Sequence, residues 1–119
     1  MPILPDGSAL GAPGLCLKKR NLHQRSLEKG LQSRILKALR KKFPTSFWYK
    51  ASDMRLSGIP DILGCVFGNF IAIEVKVAPN KPTPLQKATL RKMQKAGGWT
   101  MVAYDVKSTL EFVEGIFKT

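Results

Sequence analysis

The chain has 119 residues, 44% of them hydrophobic, which suits one domain with its own core. Its longest apolar stretches are strand-length and are broken by glycine or charge, so no membrane span is expected. Twenty Lys and Arg against eight Asp and Glu, a formal charge of +12, point instead to a polyanionic partner.

Residues 1–22 read as a flexible basic tail, ahead of a domain over residues 23–119. The stretch to Leu17 mixes Pro, Gly and small residues and lacks the charged start and apolar block of a secretory signal. Cys16 and Cys65 have no paired spacing for a zinc site or a disulfide framework, so a reducing, cytoplasmic compartment is expected.

A helix is predicted from Gln24 to Lys42, closed by Phe43-Pro44. At about 100° per residue, Leu27, Leu31, Ile35, Ala38 and Leu39 gather in one arc. Lys29, Arg34, Lys37, Arg40 and Lys41 take the other side and are the candidate phosphate-binding residues, for DNA, RNA or an anionic membrane, which charge alone does not distinguish. Ten basic residues lie between Lys18 and Lys42, with Glu28 the only acid among them. A solvated helix face is the plain alternative, but the single sign of the charge favours phosphate binding. Glu28 projects into the apolar arc. Either it has a partner there, because an unpaired buried charge costs several kcal/mol or more, or it sits in a frayed first turn that favours acids.

Ser46 to Ala51 reads as a strand, followed by a polar loop through Ser57-Gly58. Asp61–Phe67 and Phe70–Val77 read as two strands joined at Gly68-Asn69. Thr83-Pro84-Leu85-Gln86 opens a helix that stops at Gly97-Gly98, Thr100 to Tyr104 is a further strand, and Ser108-Thr109-Leu110-Glu111 has the capping-box form that starts a final helix. The order is αβββαβα.

Alternation along Ile71–Val77 puts Glu74 and Lys76 on one face and Ile71, Ile73, Val75 and Val77 on the other. With Gly68-Asn69 as the turn, counting outward sets Asp61 opposite Lys76, so Asp61, Glu74 and Lys76 should converge. Two carboxylates suit a divalent cation with oxygen ligands, and the lysine can orient water and offset negative charge. A cross-strand salt bridge is the competing explanation, though a surface pair contributes only about 0–1 kcal/mol and requires no such apolar frame.

Gly58-Ile59-Pro60-Asp61-Ile62-Leu63-Gly64, Ile73-Glu74-Val75-Lys76, Pro82-Thr83-Pro84-Leu85-Gln86 and Ala96-Gly97-Gly98 resemble, in order and spacing, the motifs of the VRR-NUC group of PD-(D/E)XK nucleases. The similarity runs from about Leu27 to the C-terminus. It implies an α/β fold with a mixed central sheet flanked by helices and a metal-dependent endonuclease acting on DNA with Mg²⁺ or Mn²⁺. Asp61 and Glu74 would bind the metal together with the main-chain carbonyl of Val75, and Lys76 would serve the nucleophilic water. Glu28 matches the acid of the group's first helix and would reach the metal through water or hold the lysine. Gln86 matches a glutamine that supports the active site, although it also completes a capping box. By rotation it falls with Leu85, Thr89, Met93 and Ala96, so it should point to the sheet.

So compact a chain is most similar to viral or mobile-element members that resolve Holliday junctions, with branched DNA as substrate and a homodimer as the active unit. A flap, nick-adjacent or restriction-type endonuclease and a non-catalytic DNA-binding module are the alternatives. One metal or two is left open. Leu110, Phe112, Val113, Ile116 and Phe117 offer the final helix either a dimer patch or packing against the sheet. His23 and Asp53 read as solvated, Asp105 as a helix cap, and Trp48, Tyr49 and Trp99 as packing residues rather than base-stacking platforms.

Overall fold

The computed structural model describes residues 22–51 and 57–118. The expected tail, except for Leu22, and Asp53 lie outside them. Among the described residues seven elements follow the expected order: α1 (Leu22–Lys42), β1 (Ser46–Lys50), β2 (Ile62–Val66), β3 (Asn69–Val75), α2 (Pro84–Lys95), β4 (Trp99–Ala103) and α3 (Val106–Phe117). The strands form one mixed sheet in the order β1-β2-β3-β4, antiparallel except for the parallel β3–β4 pair. A parallel pair needs a crossover, and α2 supplies it. No described helix is long and apolar enough to cross a membrane.

Each sheet face has a different role. Trp48, Ile62, Val66, Ile71, Ile73, Val75 and Ala103 project to the face packed by Leu31, Ile35, Leu36 and Leu39 of α1 and by Val113 and Ile116 of α3. This is the core. The opposite face carries Glu74, and α2 lies across its β3–β4 half.

Four expectations need correction. The inward stripe of α1 is Glu28, Leu31, Gln32, Ile35, Leu36 and Leu39, whereas Leu27 is 43% exposed, so the stripe is rotated from the expected arc. The β2–β3 turn is Phe67-Gly68, because Val66 pairs with Asn69. Both turn residues have positive φ, 49° and 80°, as a type I′ turn requires. The strained Phe67 is held by an edge contact of its ring with Phe117, with centroids 5.4 Å apart. Moving the turn back one residue sets Asp61 across from Glu74, not Lys76, on extending the register. Partners shift by two, so no side chain changes face.

At α3, Asp105 is the cap and accepts from Ser108 N at 2.7 Å, three residues before the expected start at Ser108. Leu110, Phe112 and Phe117 are half-buried against the core, so the apolar surplus of this helix is largely spent within one chain. Around Gln86, the helix α2 turns Leu90 inward and leaves Leu85 52% exposed.

Gly64 faces Trp48 directly, and a Cβ there would stand 2.2 Å from Trp48 Cε3. Gly64→Ala should therefore destabilise the fold by about 1–3 kcal/mol, the usual range for overpacking. Urea unfolding with fluorescence of the buried Trp48 measures this; a variant as stable as wild type would show that the indole has room to move.

Candidate active site

The chemistry-bearing residues converge where β2 begins and β3 ends. Asp61 is half-buried just before β2, and its Oδ2 accepts from the backbone N–H of Val75 at 2.8 Å. Its own carbonyl accepts from Ala51 N at 2.8 Å, which fixes the backbone on the β1 side as well. Glu74 and Lys76, two residues apart, are 2% and 5% exposed. Lys76 Nζ lies 3.7 Å from Glu74 Oε2, while Glu74 Oε1 is buried with no hydrogen-bond partner among the described residues. Burying a carboxylate oxygen without a donor is costly. That oxygen is available to a cation.

Pro60 has a part that sequence reasoning missed. Val75 N–H points towards β2, and within a strand the N–H and C=O of one residue point to the same side. The Lys76 N–H, one residue on, points the other way to Ala103 O at 3.0 Å. Extending the β2–β3 register sets Pro60 opposite Val75, and proline has no N–H to offer the Val75 carbonyl. That carbonyl is thus directed to the side where Asp61 stands. The available signal was a proline next to an acid at the start of a strand.

Burial pushes the Glu74 carboxyl up to about 8, and the negative charge of Asp61 adds to the shift. Lys76 opposes it, while hydrogen bonding to Asp61 and the charge of Glu28 raise it further. Glu28 is 4% exposed on α1, so the sheet pair and the helix acid share one electrostatic neighbourhood. Like charges this close cannot all ionise without a counter-charge. Among the described residues no three His, Cys, Asp or Glu side chains form a ready cation cage. Asp61, Glu74 and a main-chain carbonyl nonetheless fit Mg²⁺, which commonly takes one or two carboxylates and completes its shell with water and phosphate.

No family model matches the sequence, and no curated protein matches it. Among solved structures, the chain is similar to one described as a VRR_NUC domain, with 26% identity and a TM-score of 0.58 over 71% of this chain and 96% of that one. In sequence and in fold the chain is thus similar to a VRR-NUC domain. Its αβββαβα order and mixed four-stranded sheet are those of the VRR-NUC fold.

The remaining candidate residues are placed as follows. Gln86 is engaged at the N-terminus of α2: its Oε1 accepts from Thr83 N at 2.9 Å, and its N–H donates to Thr83 Oγ1 at 3.2 Å. The capping box is therefore formed, and the Gln86 carbonyl serves it rather than pointing to the carboxylates. Lys29, Arg34, Lys37, Arg40 and Lys41 are all exposed. Arg40 Nη2 also donates to Trp48 O at 3.3 Å, which ties α1 to the edge strand β1. Arg34 lines a groove of about 400 Å³ with Leu27, Leu31, Val77 and Tyr104, adjoining Glu28 and Lys76 in sequence. His23 is exposed, Trp48 is in the core, and Tyr49 and Trp99 are exposed.

The Glu74 shift has a direct consequence for stability. Between its ordinary value of 4.5 and about 8, the folded metal-free protein keeps a proton at Glu74 that the unfolded chain has released. The unfolded state then binds fewer protons, so stability falls as pH rises through that window. At about 1.4 kcal/mol per pKa unit the loss amounts to a few kcal/mol. Glu74→Gln should largely abolish this slope in metal-free thermal melts at pH 5, 6.5 and 8; equal slopes in both proteins would assign it to other groups.

Proposed function

We propose that this domain is a metal-dependent DNA endonuclease. The observation that carries the reading is the buried, donorless Oε1 of Glu74 between Asp61 and Lys76, in a protein of charge +12. Asp61, Glu74 and the Val75 carbonyl would hold Mg²⁺ or Mn²⁺, and Glu28 would reach the same shell through water. When bound, the ion polarises the phosphate and lowers the pKa of water. Lys76 places its ammonium where the attacking water and the scissile phosphate meet, and offsets the negative charge that grows there. Its position follows from Glu74, two residues earlier on the same face. Water attacks phosphorus in line, the P–O3′ bond breaks, and the family resemblance implies a 5′-phosphate and a 3′-hydroxyl as products.

DNA would be held chiefly by charge. From Lys29 to Lys41 the exposed basic face of α1 runs about 18 Å, at about 1.5 Å per residue, starting beside Glu28. Branched DNA is the proposed substrate. A pair of identical chains related by a two-fold axis would supply the two symmetric nicks that resolving a four-way junction needs.

Glu74→Ala and Lys76→Ala should each remove cleavage, by at least about a hundredfold on the scale of lost electrostatic stabilisation, while retaining most DNA affinity. Chelator should abolish cutting by the wild type, and Ca²⁺ should support binding with little cutting. Parallel cleavage and gel-retardation assays on junction and linear DNA measure both effects, and wild-type turnover by either variant would overturn the assignment.

Reversing charge with Lys37→Glu and Lys41→Glu together should weaken binding to all sequences and flatten its dependence on salt. Titrations between about 50 and 200 mM salt give that slope. Unchanged affinity would place the DNA on another surface.

A further inference from the structure

Over its twelve residues α2 carries four cations and no acid: Lys87, Arg91, Lys92 and Lys95, all of them exposed. Among the described residues the ion pairs of Glu74 and Glu114 involve none of the four. Lys87 and Arg91 stand one turn apart, a spacing at which like charges repel each other. These two border a groove of about 340 Å³ between α2 and the outer edge of β4.

Strand β4 supplies this groove with directed donors. It is the edge strand of the sheet, and Ala103 turns its backbone groups to β3, since its carbonyl accepts from Lys76 N at 3.0 Å. The alternating residues Val102 and Thr100 therefore turn their N–H groups to the free edge, where no described strand pairs with them. Thr100 Oγ1 accepts from Gln94 Nε2 at 2.6 Å, which leaves the hydroxyl's own proton to donate elsewhere. Two cations, a hydroxyl and edge N–H groups thus meet in one concavity that has no acidic wall. Backbone donors at a sheet edge form an anion-binding concavity, and a guanidinium beside them can hold two phosphate oxygens at once.

This groove and the basic side of α1 occupy opposite corners of the fold. Ala51 N donates to Asp61 O, so by alternation Trp48 turns its carbonyl to the outer edge of β1, where Arg40 Nη2 meets it at 3.3 Å. The basic side of α1 thus ends at the β1 edge, on the core face. The groove is at the β4 edge on the other face, since Thr100 and Val102 are the partners of Ala72 and Glu74. Three strand spacings, about 14 Å, separate the two edges. Helix α3, packed on both α1 and β4, stands between them on the core face. A straight duplex laid along α1 therefore faces away from the groove.

We propose that the groove between α2 and β4 holds a backbone phosphate from a second stretch of DNA, separate from the stretch on α1. Lys87, Arg91, the Thr100 hydroxyl and the Val102 N–H are its donors. The proposal rests on the nuclease reading for the identity of the polyanion and deepens it, because it gives the proposed choice of branched DNA a structural cause. Two arms leaving a branch point can reach both edges of the sheet. The candidate metal site lies between them, on β3, one strand in from the groove.

Binding of full-length protein is measured in chelator, so the outcome does not depend on cleavage. Lys87→Glu with Arg91→Glu should weaken binding to a four-way junction about tenfold or more and lower its salt slope by about one to two. The same pair should change linear-duplex affinity by less than about twofold, whereas charge reversal on α1 weakens both. Lys92→Glu with Lys95→Glu, an equal charge change on the same helix outside the groove, should cost much less on the junction. Thr100→Val should lower junction affinity about three- to tenfold, the worth of one hydrogen bond. Melting curves confirm that each variant is folded. Equal loss on junction and duplex would put both surfaces on one stretch of DNA, and equal loss from the two reversed pairs would leave only a diffuse field; either result overturns the proposal. So would an unchanged junction affinity, including the case in which Lys87→Glu with Arg91→Glu weakens binding to vesicles of anionic phospholipid instead.

Discussion

The carboxylate of Glu74 is buried on the central strand, and the polar groups around it are arranged to compensate for its charge. Glu74 lies on β3, between two neighbouring strands, and is 2% exposed with one oxygen lacking a donor among the described residues. An ionised carboxylate in such a place needs compensation. Lys76 provides part of it at 3.7 Å, but Asp61 and Glu28 add like charge nearby and the balance stays unfavourable to ionisation. A cluster of acids that raises its own protonation is poor structural engineering and suits a site that receives a divalent cation. The surrounding hydrophobic frame makes the arrangement persist, because Ile71, Ile73 and Val75 anchor β3 in the core from the opposite face.

Proline and glycine set the local geometry of this site more than the charged groups do. Pro60 ends the β2–β3 ladder beside Val75, and Asp61 takes the Val75 N–H with its side chain in place of a strand carbonyl. Gly64 allows Trp48 to lie flat on the core face and so keeps β1 close to β2. The strand pairing then carries the alternation outward to β1. Through it Phe47 and Tyr49 share a face with Glu74, although they lie far from it in sequence.

The two sheet faces divide the protein's tasks. On one, α1 and α3 bury the apolar side chains that stabilise the domain. On the other, α2 covers part of the sheet and, among the described residues, charged and aromatic groups stay in contact with solvent. Helix α1 joins the two tasks: its inner stripe packs the core and carries Glu28, and its outer side presents Lys29, Arg34, Lys37 and Lys41. Arg40 belongs to both, since its guanidinium is tied to Trp48 O.

The order of the elements and the face on which each strand residue lies can be read from the amino-acid pattern alone, because periods of two and about 3.6 residues are local properties of the backbone. The convergence of Asp61, Glu74 and Lys76 was legible for the same reason, and it survived a misplaced turn since the error moved partners by two residues and not by one. Other features depended on contacts between distant segments. Phe67 occupies a left-handed turn position, unfavourable for its type, and its ring meets Phe117, fifty residues along the chain. The stripe of α1 is rotated because Gln32 and Leu36, rather than Leu27 and Ala38, meet the core. Gln86 has both a cap and a site within its reach on paper, and the folded helix end engages it in the cap. Which aromatics are core and which are open, Trp48 against Tyr49, was decided by where α1, α2 and α3 come to rest on the sheet, and packing of that kind is a property of the whole chain.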